Sequence, residues 1–167
     1  MSLSKLTAAL GHSFADRALL QTALTHRSFG ASNNERLEFI GDGVLNCVIA
    51  VALFRRYPDL DEGDLSRMRA NLVRQDTLHR LAVALHLGDS LRLGEGELKS
   101  GGNQRPSILA DTVEALIGAV YLDGGFEAAQ ALIGRLYLPM FDELTSGAVT
   151  KDAKTTLQEW LQARKRP

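Results

Sequence analysis

Apolar residues along the chain recur at intervals of three and four and almost never alternate, so the pattern is that of helices rather than strands. Residues 2–10 and 16–25 read as two short amphipathic helices. Asp16 is the expected N-cap of the second, with Leu19, Leu20, Ala23 and Leu24 as its buried stripe. A polar loop, "FGASNN", leads to a long helix from Glu35 to Tyr57 that Pro58 ends. Its expected core-facing stripe is Leu37, Ile40, Val44, Val48 and Val51. "PDLDEGD" (58–64) is a turn feeding a helix through Val73, and Asp76 is the expected cap of the next, "TLHRLAVALHL". Residues 88–104, with five glycines, read as the one long loop. Pro106 suits the first turn of a helix over 107–123, which stops at Gly124-Gly125. Phe126 to Leu144 makes another helix, "TSGAVTKDA" a linker, and "KTTLQEWLQARKR" a last, separate helix. The expected body is therefore all-α.

Composition narrows the class without naming a function. A chain of 167 residues, 45% hydrophobic and 23% charged, suits one domain with a real core and a short appendage. Cys47 has no partner, which excludes a disulfide framework. The apolar run "VLNCVIAVALF" (44–54) is too short to span a bilayer and reads as a core helix. The start, "MSLSKLTAAL", lacks the apolar core and cleavage site of a secretory signal, so a cytoplasmic protein with no membrane partner is expected. Charge is uneven: residues 1–150 carry a net −4 and residues 151–167 a net +3. Nucleic-acid-binding domains are usually basic as a whole. An acidic body that meets phosphates needs something besides its own side chains to offset the repulsion.

The acids themselves are oddly placed. On the long helix Glu35, Glu38 and Asp42 fall at i, i+3 and i+7, one face by helical periodicity. Gly41 and Gly43 flank Asp42, although a glycine inside a helix costs about 1 kcal/mol relative to alanine. In the helix over 107–123, Asp111 and Glu114 interrupt Ile108, Leu109, Val113, Leu116 and Ile117. Packed helices lie about 8–10 Å apart, so four carboxylates from two of them can converge on one centre and would repel strongly without a cation. Oxygen-only ligands suit Mg2+, with Mn2+ as a substitute, and the two glycines would let a helix or a nucleic-acid backbone approach Asp42. The competing readings are a solvated face for Glu35 and an arginine salt bridge for Asp111 and Glu114. A di-iron bundle needs Glu-x-x-His, whereas Glu35 is followed at that spacing by Glu38 and Glu114 by Ile117. Cys-x-x-Cys, G-x-S-x-G and phosphate-loop patterns are absent from the sequence, and His12, His26, His79 and His86 read as structural or surface.

"LTHRS" (24–28), "NERLEFIGDGVL" (34–45), "DEGDLSRMRANLVR" (61–74), "GELKSGG" (96–102) and "ILADTVEALIGAVYLD" (108–123) resemble, in order, the motifs of bacterial ribonuclease III. The resemblance covers residues 5–145. It implies a dimeric all-α endonuclease domain that grips double-stranded RNA in a valley and cuts it with Mg2+. In-line hydrolysis would leave 5′-phosphate and 3′-hydroxyl ends, on ribosomal-RNA precursors and messenger RNAs. Glu38, Asp42, Asp111 and Glu114 match the family's metal ligands, and Glu35 and Glu62 its two further acids. Phe39 matches the aromatic residue that plugs a socket on the partner subunit; otherwise it reads as a core phenylalanine. Gly43 departs from the family's usual serine or alanine, with lower helix stability and retained activity expected.

Arg67, Arg69, Arg74, Lys99 and Arg105 are the candidate RNA contacts, and the 94–102 loop with Lys99 the best placed for close backbone approach. The tail, "KDAKTTLQEWLQARKRP", resembles the opening helix of a double-stranded-RNA-binding domain, a module that spans about 16 bp and needs more chain than follows. The expected organisation is an endonuclease domain over 1–145, a linker over 146–152 and the start of a truncated RNA-binding domain over 153–167. Two rivals remain. An inert, ribosome-associated scaffold of the same fold conflicts with the intact acids at 35, 38, 42, 62, 111 and 114. A compact ribosomal-RNA-maturing relative without an RNA-binding domain conflicts with the tail helix.

Overall fold

The computed structural model describes the backbone of residues 3–163 and the side chains of residues 3–143. The expected helix start at Ser2 and the last four residues of the tail lie outside the described residues. Among the described residues seven α-helices follow in order: α1 Leu3–Leu10, α2 Arg17–Ala23, α3 Glu35–Arg56, α4 Glu62–Val73, α5 Gln75–Ala84, α6 Glu95–Lys99 and α7 Pro106–Ala163. No strand occurs among the described residues, and one parallel bridge joins Thr25 to Arg92. The chain divides into two compact units, residues 1–133 and 134–167.

The first unit is built around the pair α3 and α7. Leu37, Leu45, Val48, Ile49 and Leu53 of α3 are buried, as are Leu109, Val113, Leu116, Ile117 and Val120 of α7. The α3 stripe is thus rotated from the expected one, with Ile40, Val44 and Val51 only half-buried. The rotation comes from glycine. A methyl group on Gly41 would strike the Glu114 carbonyl, and one on Gly118 the Leu37 carbonyl. The two backbones therefore cross where side chains would otherwise hold them apart, a contact that hydrophobic periodicity does not register. Gly43 faces open space and has no such role. By length and composition both helices could cross a membrane. Each carries carboxylates within its apolar stretch, as a soluble core helix around a polar site does.

Of the two capping residues expected, Asp16 and Asp76, only Asp16 holds its place, and Asp61 caps α4 without having been singled out. The Asp16 side chain accepts from the Ala18 N–H at 2.9 Å, and Asp61 from the Asp64 N–H at 2.7 Å. Asp76 does not cap α5: Arg74 holds the N-cap position and Asp76 lies in the first turn. There Thr77 anchors the helix, its hydroxyl donating to the Asn71 carbonyl at 2.9 Å. The expected loop over 88–104 is more ordered than its glycines suggest. It contains α6 and a 3-10 turn over Gly102–Gln104, and is pinned by the Arg92 N–H donating to the Leu24 carbonyl at 2.8 Å.

Within α7, Gly125 (φ 79°, ψ −175°) breaks the helical backbone where the Gly-Gly pair predicts a stop. Asp123 just before it accepts from the Ala15 and Asp16 N–H groups at 3.1 and 2.8 Å and meets His12 Nε2 at 2.7 Å. His12 is therefore a structural partner, and these bonds hold the Asp123 carboxyl below its ordinary range. In the second unit the backbone of 146–152, expected as a linker, is helical. The segment contains no proline, and its one glycine, Gly147, is a cost of about 1 kcal/mol rather than a barrier.

Candidate metal centre

Glu38 enters the site from the first turn of α3, and Asp111 and Glu114 from successive turns of α7, on either side of the Gly41 crossing. One carboxylate oxygen from each of the three lies within 4.8 Å of the others. All three are half-buried. Burial raises the Glu38 carboxyl above its ordinary range, and the charges of Asp111, Glu35 and Asp42 add to the rise. Asp111 is raised by burial alone, against the nearby charges of His26 and Arg27. Glu114 is pushed up to about 8, by burial first and then by Asp42, Asp111 and Glu38. Three acids forced together against their own repulsion form a site with a deficit of positive charge.

The donor set fits a hard divalent cation. Mg2+ takes oxygen ligands at about 2.0–2.1 Å in an octahedron, which places ligand oxygens about 3–4 Å apart. That range lies inside the 4.8 Å spread of the three carboxylates. Glu38, Asp111 and Glu114 would hold such an ion.

Asp42, the fourth expected ligand, does not join them at that distance. It lies one turn beyond Glu38 and near enough to raise Glu114, but its Oδ1 accepts from the Asn46 amide of the same helix at 2.8 Å. Without a cation, repulsion from its neighbours and a local donor both favour that outward position. Asn46 escapes sequence reasoning because an asparagine one turn from an aspartate carries no motif.

Glu35 is exposed beside the three acids and meets Arg27, Nη1 to Oε1 3.3 Å. Glu62 lies outside the group, exposed at the start of α4, where it accepts from the Ser66 hydroxyl at 2.7 Å. Four of the five expected RNA contacts are paired with acids: Arg67 with Asp64 at 2.5 Å, Arg74 with Asp76 at 4.0 Å, Lys99 with Glu95 at 3.5 Å and Arg105 with Glu97 at 2.5 Å. The first three are exposed pairs, each worth about 0–1 kcal/mol and readily opened, whereas Glu97 is half-buried. Phe39 is not a core residue: 82% of it is exposed on α3, next to Glu38.

A Ribonuclease-III-like family model matches residues 16–141. The chain is 66% identical over 166 residues to "Ribonuclease 3" of Dechloromonas aromatica, covering 99% of this chain and 75% of that relative. It is 62% identical over 164 residues to "Ribonuclease 3" of Thiobacillus denitrificans, covering 98% and 73%. Among solved structures it resembles the nuclease domain of ribonuclease III from Campylobacter jejuni, a structure described by flexibility in the region involved in its dimer formation. That likeness has a TM-score of 0.79 and 46% identity, over 81% of this chain and 95% of that one.

Proposed function

The chain belongs to the ribonuclease III family, and from that premise we propose a homodimeric, Mg2+-dependent endonuclease that cuts double-stranded RNA to 5′-phosphate and 3′-hydroxyl ends. Its proposed substrates are duplex segments of ribosomal-RNA precursors and messenger RNAs in the cytoplasm. The observation that carries the cation dependence is the meeting of Glu38, Asp111 and Glu114 at a glycine crossing inside a body of net charge −4. A bound divalent cation would neutralise these acids, activate water and stabilise charge on the phosphate.

The chain's own residues do the rest. Glu38, Asp111 and Glu114 fix the place where the scissile phosphate can sit, since elsewhere the acidic body repels it. Asp42, now bonded to the Asn46 amide, is the proposed fourth ligand and would turn from Asn46 to join the three acids in holding the cation. Glu35 and Glu62 flank the strand. The exposed Phe39 supports the dimer, because an aromatic ring in water next to a polar site gains by being covered. Residues 153–167 are proposed to open a double-stranded-RNA-binding domain that adds affinity.

The test is cleavage of a long generic RNA duplex with Mg2+, with Mn2+ and with chelator, with the product ends mapped. Cutting that needs the cation and is lost in Glu114→Gln is the expected result. Equal cutting in chelator, or by the variant at low Mg2+, overturns the metal assignment.

A further inference from the structure

A cavity of about 380 Å³ opens beside the three acids and shares Glu38 and Asp111 as part of its wall. Its remaining lining is mostly polar and mixed in charge, with Arg27 and Arg105 its two guanidinium groups. Each is paired with a carboxylate that also lines the cavity: Arg27 with Glu35 and Arg105 with Glu97. These pairs cancel. What stays unbalanced is Glu38 and Asp111, the charge a divalent cation would take up. The loaded cavity is then close to neutral, with two guanidinium forks, one held by the exposed Glu35 and the other by the half-buried Glu97.

Both arginines stand on anchored backbone. His26, next to Arg27, donates its N–H to the Arg92 carbonyl at 3.0 Å. Ser28, on the other side, takes the Gly94 N–H on its hydroxyl at 2.9 Å. Arg105 leads into α7, its carbonyl accepting from the Leu109 N–H at 3.1 Å. Arg27 also lies close enough to the acids to pull both Glu38 and Asp111 back toward ionisation. A guanidinium exchanges a carboxylate for a phosphate at little loss, because the same planar fork grips either.

We propose that this cavity is a second phosphate subsite, in which Arg27 and Arg105 together grip a backbone phosphate next to the scissile one on the same RNA strand. The inference rests on the RNA-cleaving reading of the acid cluster. Its consequence is positional: a strand clamped at two successive phosphates cannot slide along the acids, which presents the bond to be cut in one register.

The test uses duplex RNA with one neutral methylphosphonate, moved through the positions flanking the cleavage point. Binding is read at a Mg2+ concentration high enough to saturate Glu114→Gln, the background in which the duplex is held uncut. Arg27→Gln and Arg105→Gln should each weaken binding of the unmodified duplex roughly tenfold, as loss of one charged contact does. At one position the methylphosphonate should weaken the parent by a similar factor and both arginine variants hardly further, the signature of a shared contact. Arg27→Lys should restore sensitivity at that position, whereas a merely misfolded variant would lose affinity for every duplex alike. The inference is overturned if no position loses its effect in Arg27→Gln, or if the two arginines couple to different positions. It is also overturned if Arg27→Gln tightens cation binding and leaves RNA affinity unchanged, which would make the cavity a cation site. A parent chain that cuts duplex RNA but shows no coupled position sinks this inference alone; one that neither binds nor cuts it sinks the functional reading as well.

Discussion

Replacing Glu114 with glutamine should make the metal-free protein more stable at alkaline pH and leave it unchanged in acid. In the folded chain the Glu114 carboxyl is pushed from 4.5 up to about 8, because it is buried beside Asp42, Asp111 and Glu38. Between those two values the folded protein holds a proton that the unfolded chain has released. Stability from this group is thus complete below pH 4.5 and falls as pH rises, until it is gone above about 8. At about 1.4 kcal/mol per pKa unit the full shift would amount to roughly 4–5 kcal/mol. Glu114 keeps part of its surface in water and shares its repulsion with its neighbours, so about 2 kcal/mol is the expected size.

Glutamine has nearly the same volume and no charge to desolvate, so the variant lacks this slope. Urea unfolding in chelator at pH 4, 6 and 8.5 reads the difference directly. The gap between variant and parent should be near zero at pH 4 and reach about 2 kcal/mol in the variant's favour at pH 8.5. Glu38 and Asp111, also raised, shift both proteins equally and drop out. Added Mg2+ should then reverse the order: at one hundred times its dissociation constant it stabilises the parent by about 2.7 kcal/mol and the variant much less. A gap that stays constant with pH would refute the reasoning, since Glu114 would not then be held neutral by the cluster.

Phe39→Ala should leave the protomer folded, because the ring is 82% exposed, but weaken self-association by about 2 kcal/mol or more if it anchors a dimer. Sedimentation equilibrium on parent and variant checks this, and an unchanged dimer counts against it. Gly41→Ala should destabilise by about 1–3 kcal/mol and stop cleavage, because the new methyl group meets the Glu114 carbonyl and pushes α3 off α7. Gly43→Ala, with open space around it, should instead gain about 1 kcal/mol and keep activity; equal effects at both positions would contradict the crossing. Cleavage by the chain should fall steeply with potassium concentration, and a version extended by a complete RNA-binding domain should fall less. Coincident curves would show that residues 153–167 do not begin an affinity module.

The sequence alone determined the helical class, most helix ends and which acids stood out. Each is a local matter: three- and four-residue spacing, a capping aspartate at 16, a proline at 58 or 106, a Gly-Gly pair at 124. It also singled out Glu38, Asp111 and Glu114, because a carboxylate inside an apolar stretch is costly enough to mark itself. The tertiary structure alone decided which face of α3 is buried, since that depends on Gly41 meeting the Glu114 backbone and Gly118 the Leu37 backbone, 73 and 81 residues away in the chain. It decided that Asp42 turns to Asn46 while three other acids converge, and that Arg27, on a segment read only as a motif, shares a cavity with Arg105. Spacing along a chain orders neighbours on one helix, whereas the distance between groups on different helices is set by how closely two backbones can approach, and here glycine sets that limit.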